Sequence, residues 1–255
     1  MLRRTIELSL PAFLTAGAGA GFARPHPIFS GGAHYLPPRS RERAERQAWE
    51  ELAGLGLAFG RELAGNLDDA IHVLYRPEAE YWAHVHTQGE QYHLLVAVRG
   101  RDAVAAFHQD GTVRLKPARE HDRARTLARN LPRHPAADFV GFSVHRDELA
   151  RRGGEPYRPP PARSHEARIL DDVLRQPNHG FGQLHVAVVE GAGRMQSATQ
   201  LTYLDLEAGR VGLESGPPEA DQHVTTFPGT PAEIANRLGR IRAGLADPLP
   251  DHQMP

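Results

Sequence analysis

The sequence predicts an α+β protein in which an antiparallel β-sheet core is flanked by helices and two similar halves repeat one plan. Three observations lead there. Residues 78–115 form apolar or alternating runs separated by turn residues, the pattern of a β-meander. Residues 184–227 give a second, shorter version of that pattern. Stretches of helical periodicity precede and follow each meander. Both halves therefore read helix, antiparallel strands, helix, although sequence identity between them is faint. We expect a single domain over 1–255, with an N-terminal half of about 1–150, a loop of about 151–163 and a C-terminal half of about 164–255.

The elements follow in order. Met1-Leu2-Arg3-Arg4, an apolar stretch and Ala18-Gly19-Ala20 imitate a secretory signal. Glu7 and Pro11 interrupt it, and Ile6-Glu7-Leu8-Ser9-Leu10 alternates as a half-buried strand does, so the start reads as strand then helix. A Pro/Gly-rich loop covers 21–39. Ala44, Ala48, Leu52 and Leu55 stripe a helix over 40–55. A second helix, capped by Asn66, carries Leu67, Ala70, Ile71 and Leu74 and stops at Arg76-Pro77. Strands are expected at 78–87, 91–98, 102–108 and around Val113 and Leu115. The nearly continuous apolar run of 91–98 implies cover on both faces, and Asp110-Gly111 is a hairpin turn. A helix at 120–130 and a strand at 139–145 close the first half.

The Gly/Pro-rich segment 151–163 reads as a linker and 164–174 as a short helix. Strands are expected at 184–189, 195–205, 211–214 and 223–227, with a turn at Ala208-Gly209. Thr230-Pro231-Ala232-Glu233 is a capping box with proline at the first helical position. Ile234, Leu238, Ile241 and Leu245 stripe the final helix.

Composition narrows the function classes. Thirty basic against 31 acidic side chains give a formal charge of -1, which argues against nucleic acid as the main ligand. All but one of the basic residues are arginine, a bias that fits GC-rich codons; Lys116 is the exception. With no cysteine, disulfides, Cys-ligated zinc, iron–sulfur clusters and thiol nucleophiles are excluded, and the composition suits a reducing cytoplasm. No apolar run approaches the roughly 20 residues that span a bilayer.

Four motifs carry possible chemistry. His84-Val85-His86 with Glu90 has the His-x-His-x-x-x-Glu spacing of a cupin metal motif, and two histidines on one strand face can reach one metal. No glycine precedes it at the cupin spacing and no second motif follows. Gly17, Gly19 and Gly21 resemble a dinucleotide loop, but the third glycine comes one residue early. Gly141-Phe142-Ser143-Val144-His145 lacks the second glycine of a nucleophile elbow. Asp68-Asp69 and Asp171-Asp172 fall on helices as solvated or N-terminal charges. No catalytic set emerges, and the profile suits a binding module. A cupin-like metalloenzyme using His84, His86 and Glu90 stays open as the alternative, as does an interaction domain that has lost its client.

The order of segments carries a further signal. Arg43-Ala44-Glu45-Arg46 and Glu50-Glu51-Leu52-Ala53 lead to Leu55-Gly56-Leu57, then Leu67-Asp68-Asp69-Ala70 and Leu74-Tyr75-Arg76-Pro77. Leu95-Val96-Ala97-Val98-Arg99-Gly100-Arg101-Asp102-Ala103-Val104 and Asp110-Gly111-Thr112-Val113-Arg114-Leu115-Lys116-Pro117 follow. Later come Gly193-Arg194, Tyr203-Leu204-Asp205 with Gly209-Arg210, and Phe227-Pro228-Gly229-Thr230-Pro231. Over nearly its whole length this closely resembles the EspG family of actinobacterial type VII (ESX) secretion-associated proteins.

The resemblance implies a mixed fold with pseudo-two-fold symmetry and a cytoplasmic chaperone with no catalysis and no cofactor. Its partner would be the apolar tip of the PPE member of a PE–PPE helical pair, or another ESX-class helical hairpin. One departure is visible: the turn near Gln88–Glu90 is short where the family often carries a longer loop. A binder of an apolar tip needs a complementary apolar patch. Trp82, His84 and His86 share one face of their strand, and Tyr92 lies on the next strand. These four are the expected partner-binding residues, against the simpler reading of Trp82 as core and the histidines as a solvated face.

Overall fold

The computed structural model describes residues 2–29, 37–118, 123–150, 163–191, 193–219 and 221–246. The first half opens with β1 (Ile6–Ser9) and α1 (Leu10–Gly19), as the alternation at its start implied. Ser9 caps α1 by accepting from the Ala12 amide. After a 3-10 turn at Pro27–Phe29 come α2 (Pro38–Gly54), a hairpin of β2 (Ala58–Phe59) and β3 (Glu62–Leu63), and α3 (Gly65–Tyr75). The meander is β4 (Ala79–Thr87), β5 (Glu90–Arg99), β6 (Asp102–Gln109) and β7 (Thr112–Ala118), followed by α4 (Arg123–Arg129). The second half has β8 (Ser143–His145), α5 (Arg146–Ala150), α6 (His165–Leu174), β9 (Asn178–Glu190), β10 (Gly193–Gln196), β11 (Gln200–Leu206), β12 (Gly209–Ser215), β13 (His223–Pro228) and α7 (Pro231–Ala246).

These strands, apart from the β2–β3 hairpin, make one eleven-stranded antiparallel sheet. From either edge inward its order is β1-β7-β6-β5-β4 and β8-β13-β12-β11-β9, with β10 paired to β9 alone. Each half thus runs edge strand, helices, meander, helix, and the two meet where β4 pairs antiparallel with β9, from Ala79↔Val188 to Thr87↔Gly180. This is the pseudo-two-fold plan expected from the repeated pattern.

Helices cover the two faces differently. On the first face α4 and α7 pack together over the sheet centre, burying Leu127, Ile234 and Leu238 against Tyr81, Val85, Leu94, Val96 and Leu184. On the second face α1–α3 cover the first half, with Phe13, Leu67, Ile71 and Leu74 against Leu95, Ala97, Val104 and Ala106. There α5 and α6 lie beside β8 at the opposite margin. Strand β5 is buried from Leu94 to Val98 because both faces cover it. The tight hairpins match their residues: Gln88-Gly89 and Asp110-Gly111 each place two consecutive residues at positive φ.

Several boundaries differ from expectation. Helix α3 starts at Gly65 with Ala64 as cap, and Asn66 lies in its first turn without a capping bond. The expected strand 139–145 is a strand only over Ser143–His145. The stretch 195–205 is two strands, because Ser197 and Thr199 form a local turn bonded through the Ser197 hydroxyl. Strand β9 starts at Asn178, earlier than its apolar run. Gly180 and Gly182 let the His86 carbonyl and the Tyr203 ring approach where a Cβ would collide. The expected linker 151–163 lies outside the described residues except at Arg163. Half of the final capping box forms: the Glu233 amide donates to Thr230 Oγ1 at 3.1 Å, while the Thr230 amide bonds the Pro228 carbonyl and the Glu233 carboxylate turns to Arg237.

One ion pair is nearly free of solvent. Arg210, 2% exposed, donates through Nε and Nη2 to the two oxygens of Asp205 at 2.6 and 2.9 Å and also to the Pro132 carbonyl. Its guanidinium stacks over Tyr203. Removing the carboxylate leaves a buried cation without its counter-charge. We expect Asp205→Ala to lower stability by about 3–5 kcal/mol in urea denaturation. Arg240→Ala, which removes an exposed contact to Glu214, should change it by about 0.5 kcal/mol or less.

Candidate partner-binding site

Side chains alternate along a strand, so register decides which expected residues meet. On the second face Trp82 lies opposite Leu95 and His185, His84 opposite His93 and Gln183, and His86 opposite Gln91 and Phe181. Trp82, His84 and His86 are therefore one column, as expected. Tyr92 is not part of it. It pairs with Val85, faces the other way and packs beside α4 and α7. Trp82 itself is 5% exposed, held under the Arg194 guanidinium and against the His26 and His185 rings. Trp82 supports this face from below, while His84 and His86 are half-buried and reach its surface.

The column sits in a set of interacting rings that the sequence reading did not assemble. His84 Nδ1 and His93 Nδ1 are 2.8 Å apart. His185 stacks on Trp82 with centroids 5.0 Å apart, and His86 stacks on Phe181 at 4.5 Å and 11°. His108 Nδ1 donates to the Ile28 carbonyl at 2.7 Å. Beneath Trp82, buried Glu80 accepts from Arg194 Nε at 2.7 Å. Burial pushes the Glu80 carboxyl up against the pull of Arg194. Burial, then Arg194 and the neighbouring histidines, holds His26 at about 3, so its 3.7 Å approach to Glu80 is not an ion pair at neutral pH. Burial and nearby histidines likewise lower His93 and His185 to about 4, and they lower His84. The signal for this assembly was available: once β4, β5 and β9 pair, His93 and His185 must flank the expected column.

Next to these rings lies an apolar cleft of about 380 Å³, lined by Phe139, Val140, Phe142, Ile169, Val173 and Leu206 among others. Val140 is 90% exposed and Ile169 and Leu174 are also open. The cleft joins the rings without a break, because Val211, Leu204, Phe181 and His86 lie in one row across β12, β11, β9 and β4. Reading 139–145 as a strand concealed this surface, since only the fold turns Val140 outward.

The other sequence motifs resolve into structure. Glu90 lies on the face opposite His84 and His86, and it accepts from Gln109. The cupin-like set His84/His86/Glu90 is therefore not assembled, and the alternative built on it falls. Among the described residues no three histidine or carboxylate side chains are placed to hold one metal ion. Gly17 and Gly19 lie within α1, where Tyr75 and Trp49 occupy the space a Cβ would need. Ser143 shares a hydrogen bond with Thr225 across β8 and β13. Asp68 contacts His72, and Asp171 is buried against Arg163.

A family comparison decides the wider assignment: the sequence profile described as the EspG family matches residues 9–240. The chain belongs to the EspG family. No curated protein matches it. Among solved structures it is similar to the Mycobacterium tuberculosis type VII secretion system chaperone EspG5, determined in complex with a PE25–PPE41 dimer. That similarity has a TM-score of 0.70 at 14% identity and covers 98% of each chain, so it establishes the EspG fold over the whole length. No helix among the described residues is long and apolar enough to cross a membrane.

The ring cluster gives this EspG-family chain an acid sensitivity with a definite sign. His26, His93 and His185 take up protons near 6.5 when unfolded but only near 3–4 when folded. The unfolded state therefore binds more protons as pH falls below about 6.5, and stability declines until about 4. Glu80, raised in the fold by burial, works in the opposite sense. We expect a lower urea midpoint at pH 5.0 than at pH 7.5, and His185→Gln should shrink that difference.

Proposed function

We propose that this protein is a cytoplasmic, non-catalytic chaperone of type VII secretion that binds the apolar tip of a PPE-type helical partner and keeps it soluble. The observation that carries the reading is the uncovered part of the second sheet face. Between the α1–α3 flank and the α5–α6 margin, half-buried rings run directly into the apolar cleft around Val140 and Ile169. EspG5, with which the chain shares its fold, is a chaperone solved with such a dimer.

The physical demand is simple. A helical tip rich in apolar residues aggregates unless covered, and a specific cover buries about 800 Å² a side. The β4–β5 hairpin closes through Gln88-Gly89 alone, so no long loop extends from it to grip a client. Recognition then rests on His84, His86, Phe181 and the cleft, with Trp82 as support. Oligomeric assembly is not required for this surface, which one chain completes.

Co-expression with PE–PPE pairs from the same genome tests the reading. A stable one-to-one-to-one complex in size-exclusion chromatography with light scattering is expected. Val140→Asp and Ile169→Asp, each placing a charge in the cleft, should weaken it about ten-fold or more with unfolding temperature unchanged. Absence of any PE–PPE complex, or full binding by both variants, would refute it.

A further inference from the structure

The turn at the tip of a helical hairpin is not wholly apolar. Two helices end there, and their terminal N–H and C=O groups have no partners within the helices. Burying them against a purely apolar surface leaves them unsatisfied. A face that receives such a turn must offer both donors and acceptors, and without formal charge.

One row of the second face has that chemistry. Across β11, β9, β4 and β5 it reads Thr202, Gln183, His84 and His93. The rows on either side are mostly apolar or aromatic: Leu204, Phe181 and His86 on one, His185, Trp82 and Leu95 on the other. Within the polar row the two imidazoles act as a unit. Their Nδ1 atoms are 2.8 Å apart, so one carries the hydrogen and the other accepts it. Neutral imidazole has one donor and one acceptor nitrogen. The ring that donates through Nδ1 must then have an accepting Nε2, and its partner must have a donating Nε2–H. Neither Nε2 has a hydrogen-bond partner among the described residues.

The surroundings keep the pair neutral. His86, His108 and His185 face it from β4, β6 and β9, and His26 and Arg194 lie beyond Trp82. The one carboxylate on this part of the face, Glu80, is taken by Arg194. Burial and the neighbouring histidines hold His93 at about 4, and His84 is lowered too.

We propose that the His84–His93 pair is the polar anchor for the turn at the client's tip, meeting its unpaired backbone groups with one Nε2 acceptor and one Nε2–H donor. The proposal rests on the chaperone reading above and adds which residues select a helical turn over an apolar surface of any other kind.

Two measurements on the full-length protein test it. Long-range proton–nitrogen correlation at pH 7.5 should show His84 and His93 in opposite tautomers; the same tautomer in both overturns the pairing and the proposal. The second measures affinity for the PE–PPE pair that forms the complex described above. His84→Phe and His93→Phe should each weaken binding about ten-fold, and the double variant should lose little more, because the pair acts as a unit. His93→Gln, which keeps a donor and an acceptor, should stay within about three-fold of the parent. A face that works by apolar contact alone predicts the reverse, with Phe tolerated and Gln harmful, and that result refutes the anchor. Unfolding temperatures of all variants identify any loss due to misfolding, and His93→Gln then decides. If Val140→Asp abolishes binding while the Phe variants bind fully, the anchor alone fails; if no PE–PPE pair binds, the chaperone reading and the anchor fail together.

Discussion

The β4–β9 ladder is the contact on which the molecule depends. Each half alone would end in a long, flat, apolar strand, and such an edge invites pairing with another chain. By pairing these two strands from Ala79↔Val188 to Thr87↔Gly180, the fold hides both edges and leaves only the short β1 and β8 at the margins. The same ladder spaces the helices. A two-fold between β4 and β9 sends α1–α3 to one side and α5–α6 to the other, while α4 and α7 meet over the centre of the opposite face. A covered face and a partly open face are therefore consequences of one pairing, and the open one is where a partner can sit.

Close packing around this ladder explains several residues that carry the family resemblance. Gly209 and Arg210 follow Tyr203-Leu204-Asp205 in that pattern, and the structure makes them one buried unit: Arg210 pairs with Asp205 and stacks on Tyr203. Gly229 belongs to it, since a Cβ there would strike the Arg210 side chain. Gly212 leaves room for the Phe227 ring on the next strand. These positions hold the sheet in register and carry no sign of partner contact. The resemblance thus identifies the scaffold through its scaffold residues, and the binding surface has to be found from geometry.

What could be read beforehand follows the same division. Local signals with a mechanism gave the right elements: Asp110-Gly111 for a hairpin, Thr230-Pro231-Ala232-Glu233 for a helix start, and the 91–98 run for a strand covered twice. Where tertiary contact overrides local preference, the reading failed. The strand expected from 184 starts at Asn178, because Gly182 gives way to the Tyr203 ring and Gly180 to the His86 carbonyl. Phe139 and Val140 have strand composition but lie in a loop beside α6. The column Trp82–His84–His86 was legible from strand alternation alone, whereas excluding Tyr92 required the β4–β5 register. The His84–His93 contact and the Arg210–Asp205 pair join residues whose proximity only the pairing of strands specifies.

The composition of the open face then makes physical sense. The chain has 61 formally charged side chains, yet on β11, β9, β4 and β5 the second face carries a charge only at Glu80 and, at the far end of β5, at Arg99. Glu80 is itself compensated by Arg194. An arginine or carboxylate here would have to be stripped of water whenever a partner docked, and an unpaired buried charge is the most costly group to leave behind. Neutral histidine avoids that penalty while still offering hydrogen bonds, and its flat ring stacks as Phe181 and His86 do. On the proposed reading, a surface that captures and releases an apolar tip gains from this mixture: ring area to displace water, polar atoms to receive a helix turn, and little charge to desolvate. Histidine provides ring area and hydrogen-bonding atoms together without a formal charge, which fits its concentration on this face.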